Sequence, residues 1–178
     1  KPAGCIVVEN AGLQFTSANA QYTPYVIENT TVKYSRSGDY ALRLYASTSK
    51  GAGGYVVLPL IDDEDSDSLL FSFWMRPFYT QATGKLFVSY NATSYARKLT
   101  IGVMTDPNDP STYRKLKDVE YPIEAGSITN STLATSDQNG EEYWVQFVLP
   151  LSNMKGKYLV LKNDDYGKAN CVYVDDIQ

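Results

Sequence analysis

Short runs of alternating apolar and polar residues, separated by turn-forming clusters, recur along this chain and leave little room for anything except β-structure. In Leu69–Arg76, Phe71, Phe73 and Met75 fall on one side, and Ser72, Trp74 and Arg76 on the other. Leu42 and Leu44 oppose Arg43 and Tyr45. Val56, Leu58 and Leu60 form a second row, and Leu99, Ile101 and Val103 a third. Val145, Phe147 and Leu149 oppose Trp144, Gln146 and Val148, while Leu159 and Leu161 complete the set. A slip of one residue would turn any of these rows to solvent, so the rows fix the register.

The predicted strands are Cys5–Val8, Thr31–Tyr34, Tyr40–Ala46, Gly54–Leu60, Leu69–Arg76, Lys85–Tyr90, Leu99–Met104, Arg114–Tyr121, Tyr143–Leu149, Lys157–Lys162 and Cys171–Ile177. No segment between them carries a helical stripe, and Glu124–Gly140, rich in Ser, Thr, Asn and Gly, reads as a long loop. Ser37-Gly38-Asp39 supplies a glycine where positive φ costs little. Asp106-Pro107-Asn108-Asp109-Pro110 fixes two φ angles and offers Asx-type bonds, which keeps it out of a central strand. The pattern is that of an all-β sandwich.

At 178 residues, 1–178 fits one domain, large enough to bury a core without disulfides. It is expected to be excised from a larger exported protein. There is no histidine, which excludes Ser–His–Asp and Cys–His catalysis and any His-ligated metal. The net charge of −4 and the lack of a run of basic residues argue against nucleic acid as a partner. No apolar run approaches membrane-spanning length, and no apolar amphipathic segment suggests direct membrane contact.

Two cysteines, Cys5 and Cys171, sit near opposite ends. They are too few for a zinc site. If the first and last strands are neighbours they can form a disulfide, which suits an exported protein; otherwise they are two buried thiols. The closing strand runs into Asp175-Asp176. Burying a carboxylate at a strand end is costly unless a cation or several donors meet it, so this end calls for a bound metal or a tight cap.

Fifteen tyrosines and two tryptophans provide aromatic surface. Trp74 and Trp144 share the outward parity of their strands and could stack on sugar rings; the alternative is burial beneath loops or the second sheet. Tyr79, Tyr90, Tyr95 and Tyr113 lie near strand ends and could line a site at the loops. The acidic run Asp62-Asp63-Glu64-Asp65-Ser66-Asp67 lacks the glycine and the closing glutamate of an EF-hand and reads as a solvated loop. Asn29-Thr30-Thr31, Asn91-Ala92-Thr93 and Asn130-Ser131-Thr132 match the N-glycosylation pattern, which is common by chance. No paired carboxylates stand in a glycosidase arrangement, and Glu141-Glu142 at a predicted strand start lacks any sign of burial.

Three stretches together resemble a known group: Ser37-Gly38-Asp39-Tyr40-Ala41-Leu42-Arg43-Leu44, Phe71-Ser72-Phe73-Trp74-Met75-Arg76-Pro77 and Val172-Tyr173-Val174-Asp175-Asp176-Ile177. In that order they are similar to jelly-roll modules of the galactose-binding-like, MAM and cleaved-adhesin type. Ile101–Pro107 followed by Ser111-Thr112-Tyr113 is similar to sandwich modules on exported proteins of gut bacteria. The resemblance implies a jelly-roll β-sandwich of two antiparallel sheets. It also implies a structural calcium ion near the termini, with ligands carried over to Glu9, to Ser37 and Asp39 of the turn, and to Asp175. Six to eight hard oxygens from such distant segments would suit Ca²⁺.

The expected function is therefore a non-catalytic extracellular or cell-surface binding and adhesion module. Its expected partner is a polysaccharide or other glycan, or a neighbouring domain of the same protein. A structural or protein-interaction spacer without a small ligand is the alternative, and a glycoside hydrolase the third choice.

Overall fold

The computed structural model describes residues 6–8, 24–29, 34–45, 54–61, 69–80, 86–87, 98–121, 144–163 and 171–178. The described strands are β1 (Ile6–Val8), β2 (Tyr25–Glu28), β3 (Tyr40–Tyr45), β4 (Tyr55–Ile61), β5 (Leu69–Thr80), β6 (Leu86–Phe87), β7 (Lys98–Met104), β8 (Arg114–Glu120), β9 (Val145–Leu151), β10 (Lys157–Lys162) and β11 (Cys171–Asp175). Every described pairing is antiparallel. One sheet has the order β1-β4-β10-β7-β8; the other runs β2-β3-β11-β5-β6, with β9 also on β5. β5 is long enough for both: β9 pairs with Leu69–Met75, and β6 pairs with Tyr79 and Thr80.

Apart from Leu60, which is 45% exposed near the end of β4, the alternating rows meet between the sheets as expected. Leu42, Leu44, Phe71, Phe73, Met75, Val172 and Val174 face Val56, Leu58, Leu99, Ile101, Val103, Leu159 and Leu161 in one core. The fold is the all-β jelly-roll sandwich of two antiparallel sheets that the alternation and the resemblance imply.

Three placements differ from expectation. The second described strand is Tyr25–Glu28; of the strand expected at Thr31–Tyr34, residues 31–33 lie outside the described residues and Tyr34 is in no strand, ahead of a bend over Arg36–Asp39. The strand expected at Tyr143–Leu149 begins and ends two residues later, at Val145–Leu151. β1 and β11 belong to different sheets, so the first and last strands are not neighbours in one sheet. Cys171 is a buried thiol on the outer face of its sheet, and Cys5 lies outside the described residues.

Candidate functional site

The end of the sandwich that carries the closing aspartates is organised by Asn29, the residue after β2. Its Oδ1 accepts from the N–H groups of Tyr34 (2.8 Å) and Ser35 (3.1 Å). Its Nδ2 donates to Ser35 Oγ (2.7 Å) and the Gly38 carbonyl (3.0 Å). Ser35 Oγ bonds the same carbonyl at 2.8 Å, and Gly38 takes a positive φ of 55°. The turn expected at Ser37-Gly38-Asp39 is thus held from inside, and its leading N–H groups face outward.

Asp175 meets them. Its Oδ2 accepts from Arg36 N at 2.7 Å and Ser37 N at 3.0 Å, and its Oδ1 accepts from Asp176 N at 2.8 Å. Asp176 sits at φ 46°, which turns the chain off the strand axis. Its carboxylate pairs with the Arg36 guanidinium at 2.5 Å and accepts from the Ser37 hydroxyl. Burial pushes the Asp175 carboxyl up, with the Asp176 charge adding to the rise, while the N–H groups of Ser37, Asp176 and Arg36 pull it down. Beyond the cap the tail continues as a pairing, with Ser72 and Gln178 exchanging backbone bonds of 2.9 Å in both directions.

Of the expected calcium ligands, this brings Ser37 to Asp175, with Ser37 acting as a donor. Asp39 is exposed, and its carbonyl accepts from Asn29 N at 2.8 Å. Glu9 lies outside the described residues. Among the described residues no three Asp, Glu, Cys or His side chains come together as a metal cluster. The described atoms at the acidic strand end form a hydrogen-bonded cap.

Next to the cap opens a cavity of about 570 Å³, lined by Val26, Tyr40, Leu42, Asp175, Asp176 and Ile177 among others. Tyr40 is 53% exposed, and its hydroxyl lies 3.4 Å from Glu28 Oε1. Aliphatic floor, exposed phenol and two acceptor carboxylates therefore share one opening. Tyr40 stands in the resembling segment and shares the strand parity of Leu42 and Leu44, yet at the start of β3 it is exposed.

The expected aromatic platform is built differently. Trp74 and Trp144 do lie on the outer face of the six-stranded sheet, away from the main core, but with Ala41, Cys171 and Tyr173 they form a second core. Trp144 is 4% exposed, with the buried Arg76 guanidinium 4.9 Å from its ring centroid. Arg36 covers Trp74 at 3.8 Å. Tyr34 stacks on Tyr173 at 5.6 Å, and Arg43 lies over Tyr45 at 4.3 Å. Trp144 is thus a packing residue, and its burial removes it as a sugar platform. Tyr113 also packs: its ring lies so close over Gly102 that a Cβ there would stand 2.4 Å from it. Tyr79 is placed on β5 opposite Phe87, while Tyr90 and Tyr95 lie outside the described residues.

A second cavity, of about 410 Å³, opens between β8, β9 and the turn into β10. Arg114, Lys117 and Lys157 stand in its lining over Leu116, Leu149 and Met154.

No protein-family model matches the chain, and no curated protein sequence matches it. Solved structures do. The K1 cleaved adhesin domain of Lys-gingipain from Porphyromonas gingivalis W83 superposes with a TM-score of 0.60 at 14% identity, over 99% of this chain and 90% of that one. The K2 cleaved adhesin domain of Lys-gingipain gives 0.59 at 9% identity, over 99% and 89%. At such low identity the likeness concerns the fold. By architecture, the chain shares the β-sandwich fold of these cleaved adhesin domains.

Proposed function

We propose that this chain is a non-catalytic binding and adhesion module of an exported or cell-surface protein, with carbohydrate as its ligand class and the cavity beside the terminal cap as its site. The observation that carries the reading is the meeting of exposed Tyr40 with the Asp175 and Asp176 carboxylates over an aliphatic floor. The ring and the aliphatic floor accept the C–H face of a sugar, and the carboxylates accept from its hydroxyls. Both carboxylates are already engaged as acceptors. Asp175 accepts three N–H bonds, and Asp176 is tied to Arg36 and Ser37. Glycoside hydrolysis needs one protonated carboxyl placed to donate. The spacer or protein-interaction reading stands second, supported by the burial of Trp144 and the covering of Trp74.

A broad panel of plant and host polysaccharides, tested by affinity electrophoresis, separates the two. Retardation by at least one neutral glycan is expected, and Tyr40→Ala should weaken it by about tenfold with melting unchanged, since an exposed ring contributes contact rather than core. Silence of the native protein across the panel supports the spacer.

Calcium at this end is a further proposal and depends on Glu9 joining Asp39 and Asp175. EDTA is then expected to lower the melting midpoint and excess Ca²⁺ to restore it, as for any ligand held only by the folded state. An unchanged midpoint leaves the hydrogen-bonded cap as the whole closure.

A further inference from the structure

β8 holds three cations in its first four residues, Arg114, Lys115 and Lys117. In a regular strand, residues 114 and 117 would face opposite sides. The register prevents this. Lys117 stands opposite Ile101, but Gly102 stands opposite Lys115 and Val103 opposite Arg114, so Leu116 is an extra residue. A bulge of this kind re-aims side chains. Ile101 and Val103 belong to the main core, so Arg114 and Lys117 both take the inward parity. Because β8 is the outermost of the described strands of its sheet, they line the mouth of the sandwich rather than its core.

Lys115 takes the other face, where it pairs with Asp118 at 2.5 Å; Asp118 also accepts from Thr100 Oγ1 at 2.7 Å. Among the described residues neither Arg114 nor Lys117 forms an ion pair. Across the mouth, Lys157 leaves the turn between β9 and β10, where its ammonium donates to the Asn153 carbonyl. That turn is shaped by positive φ at Asn153 (54°) and Gly156 (69°) and by Gly156 N bonding the Ile61 carbonyl at 2.8 Å. Leu149, Leu151, Pro150 and Met154 line the β9 side. Among the described lining residues there is no carboxylate and no aromatic ring.

The geometry points to a second binding site in this cleft, for an acidic peptide segment with aliphatic side chains. Three cations concentrated at one opening of a chain with net charge −4 select an anionic partner. The guanidinium of Arg114 can hold a carboxylate with two parallel bonds. The aliphatic floor, without a ring to stack on, fits leucine-like side chains rather than sugar faces. A volume of about 410 Å³ holds one or two such side chains with their carboxylate neighbours. The acidic run 62–67 lies outside the described residues and forms no part of this site.

The test is fluorescence anisotropy with a capped peptide alternating leucine and glutamate. Three other probes accompany it: the same peptide with lysine for glutamate, one with serine for leucine, and an oligogalacturonate. The leucine–glutamate peptide is expected to bind, the lysine version not to bind, and the serine version to bind more weakly. Arg114→Gln with Lys117→Gln should weaken binding by about tenfold or more, and Lys157→Gln should weaken it in the same direction. Lys115→Gln, on the opposite face, and Tyr40→Ala, in the glycan cavity, should leave it unchanged. All substituted positions are at the surface, and unchanged melting verifies the fold. Absence of binding by the leucine–glutamate peptide overturns the proposal, as does equal binding by the double variant. Tighter binding of the oligogalacturonate, lost in the same variant, overturns it in favour of an acidic saccharide.

Discussion

Trp144→Ala is expected to lower the melting midpoint by roughly 10 °C, corresponding to about 3–5 kcal/mol for a buried indole in a chain of this size. Trp144 precedes β9 and lies against Cys171 and Tyr173 of β11 in the second core. Truncation would open a void there and strip one face from Arg76, whose guanidinium lies 4.9 Å from the ring centroid. Burial lowers Arg76 to about 10, partly offset by Tyr173, Tyr121 and Cys171, so it remains charged at neutral pH. A buried cation that loses an aromatic face has no water to replace it, which adds to the cost. Trp144→Phe keeps a ring over Arg76 and should lose less than half as much. A Trp144→Ala protein that melts near the native midpoint but loses a glycan would restore Trp144 as a ligand contact.

The layers were legible because a period of two is imposed directly by burial. Phe71, Phe73 and Met75 point inward for the reason their alternation gives. The same parity placed Trp74 and Trp144 on the opposite face correctly. Parity reports which face a residue takes, whereas exposure depends on what else packs there, and here Arg36, Arg76 and the tyrosines make the outer face a second core. The cation cleft was hidden for a related reason. Arg114 and Lys117 share a face only because Leu116 is extra in the pairing, and an inserted residue is a property of two strands together. Asn29 illustrates a third limit. Its sequence context resembles a glycosylation acceptor, yet its amide is committed to four bonds that shape the turn at Ser37. Asp175 was the most informative single residue, since a carboxylate at a buried strand end must meet donors, and the donors proved to be N–H groups from a turn more than a hundred residues earlier.

Asp175→Ala is the second large effect. It removes the acceptor of three N–H groups, those of Arg36, Ser37 and Asp176. Each donor left without a partner costs about 1–3 kcal/mol when buried and less where water can enter, so a total of about 2–4 kcal/mol is expected. In a domain of this length that is a fall in melting midpoint of roughly 5–10 °C. Asp175→Asn keeps an acceptor oxygen for Arg36 N and Ser37 N and should recover much of the loss. The pH dependence supplies an independent check. Burial, the largest influence on Asp175, raises its carboxyl above the ordinary value in the folded chain. The folded state therefore holds this proton more tightly than the unfolded one. Its contribution to stability is fully present below the ordinary carboxylate range and is lost as pH rises through the raised value. Asp118 has the opposite sign: despite its partial burial, Lys115 and Thr100 hold its carboxyl below the usual value, so its contribution is present above the ordinary range and fades as pH falls. The difference between native and Asp175→Asn melting curves isolates the first group, because Asp118 is common to both. That difference should favour the native protein increasingly as pH is lowered through the raised Asp175 value; a difference that shrinks on acidification would mean that the three N–H groups, rather than burial, dominate at the cap.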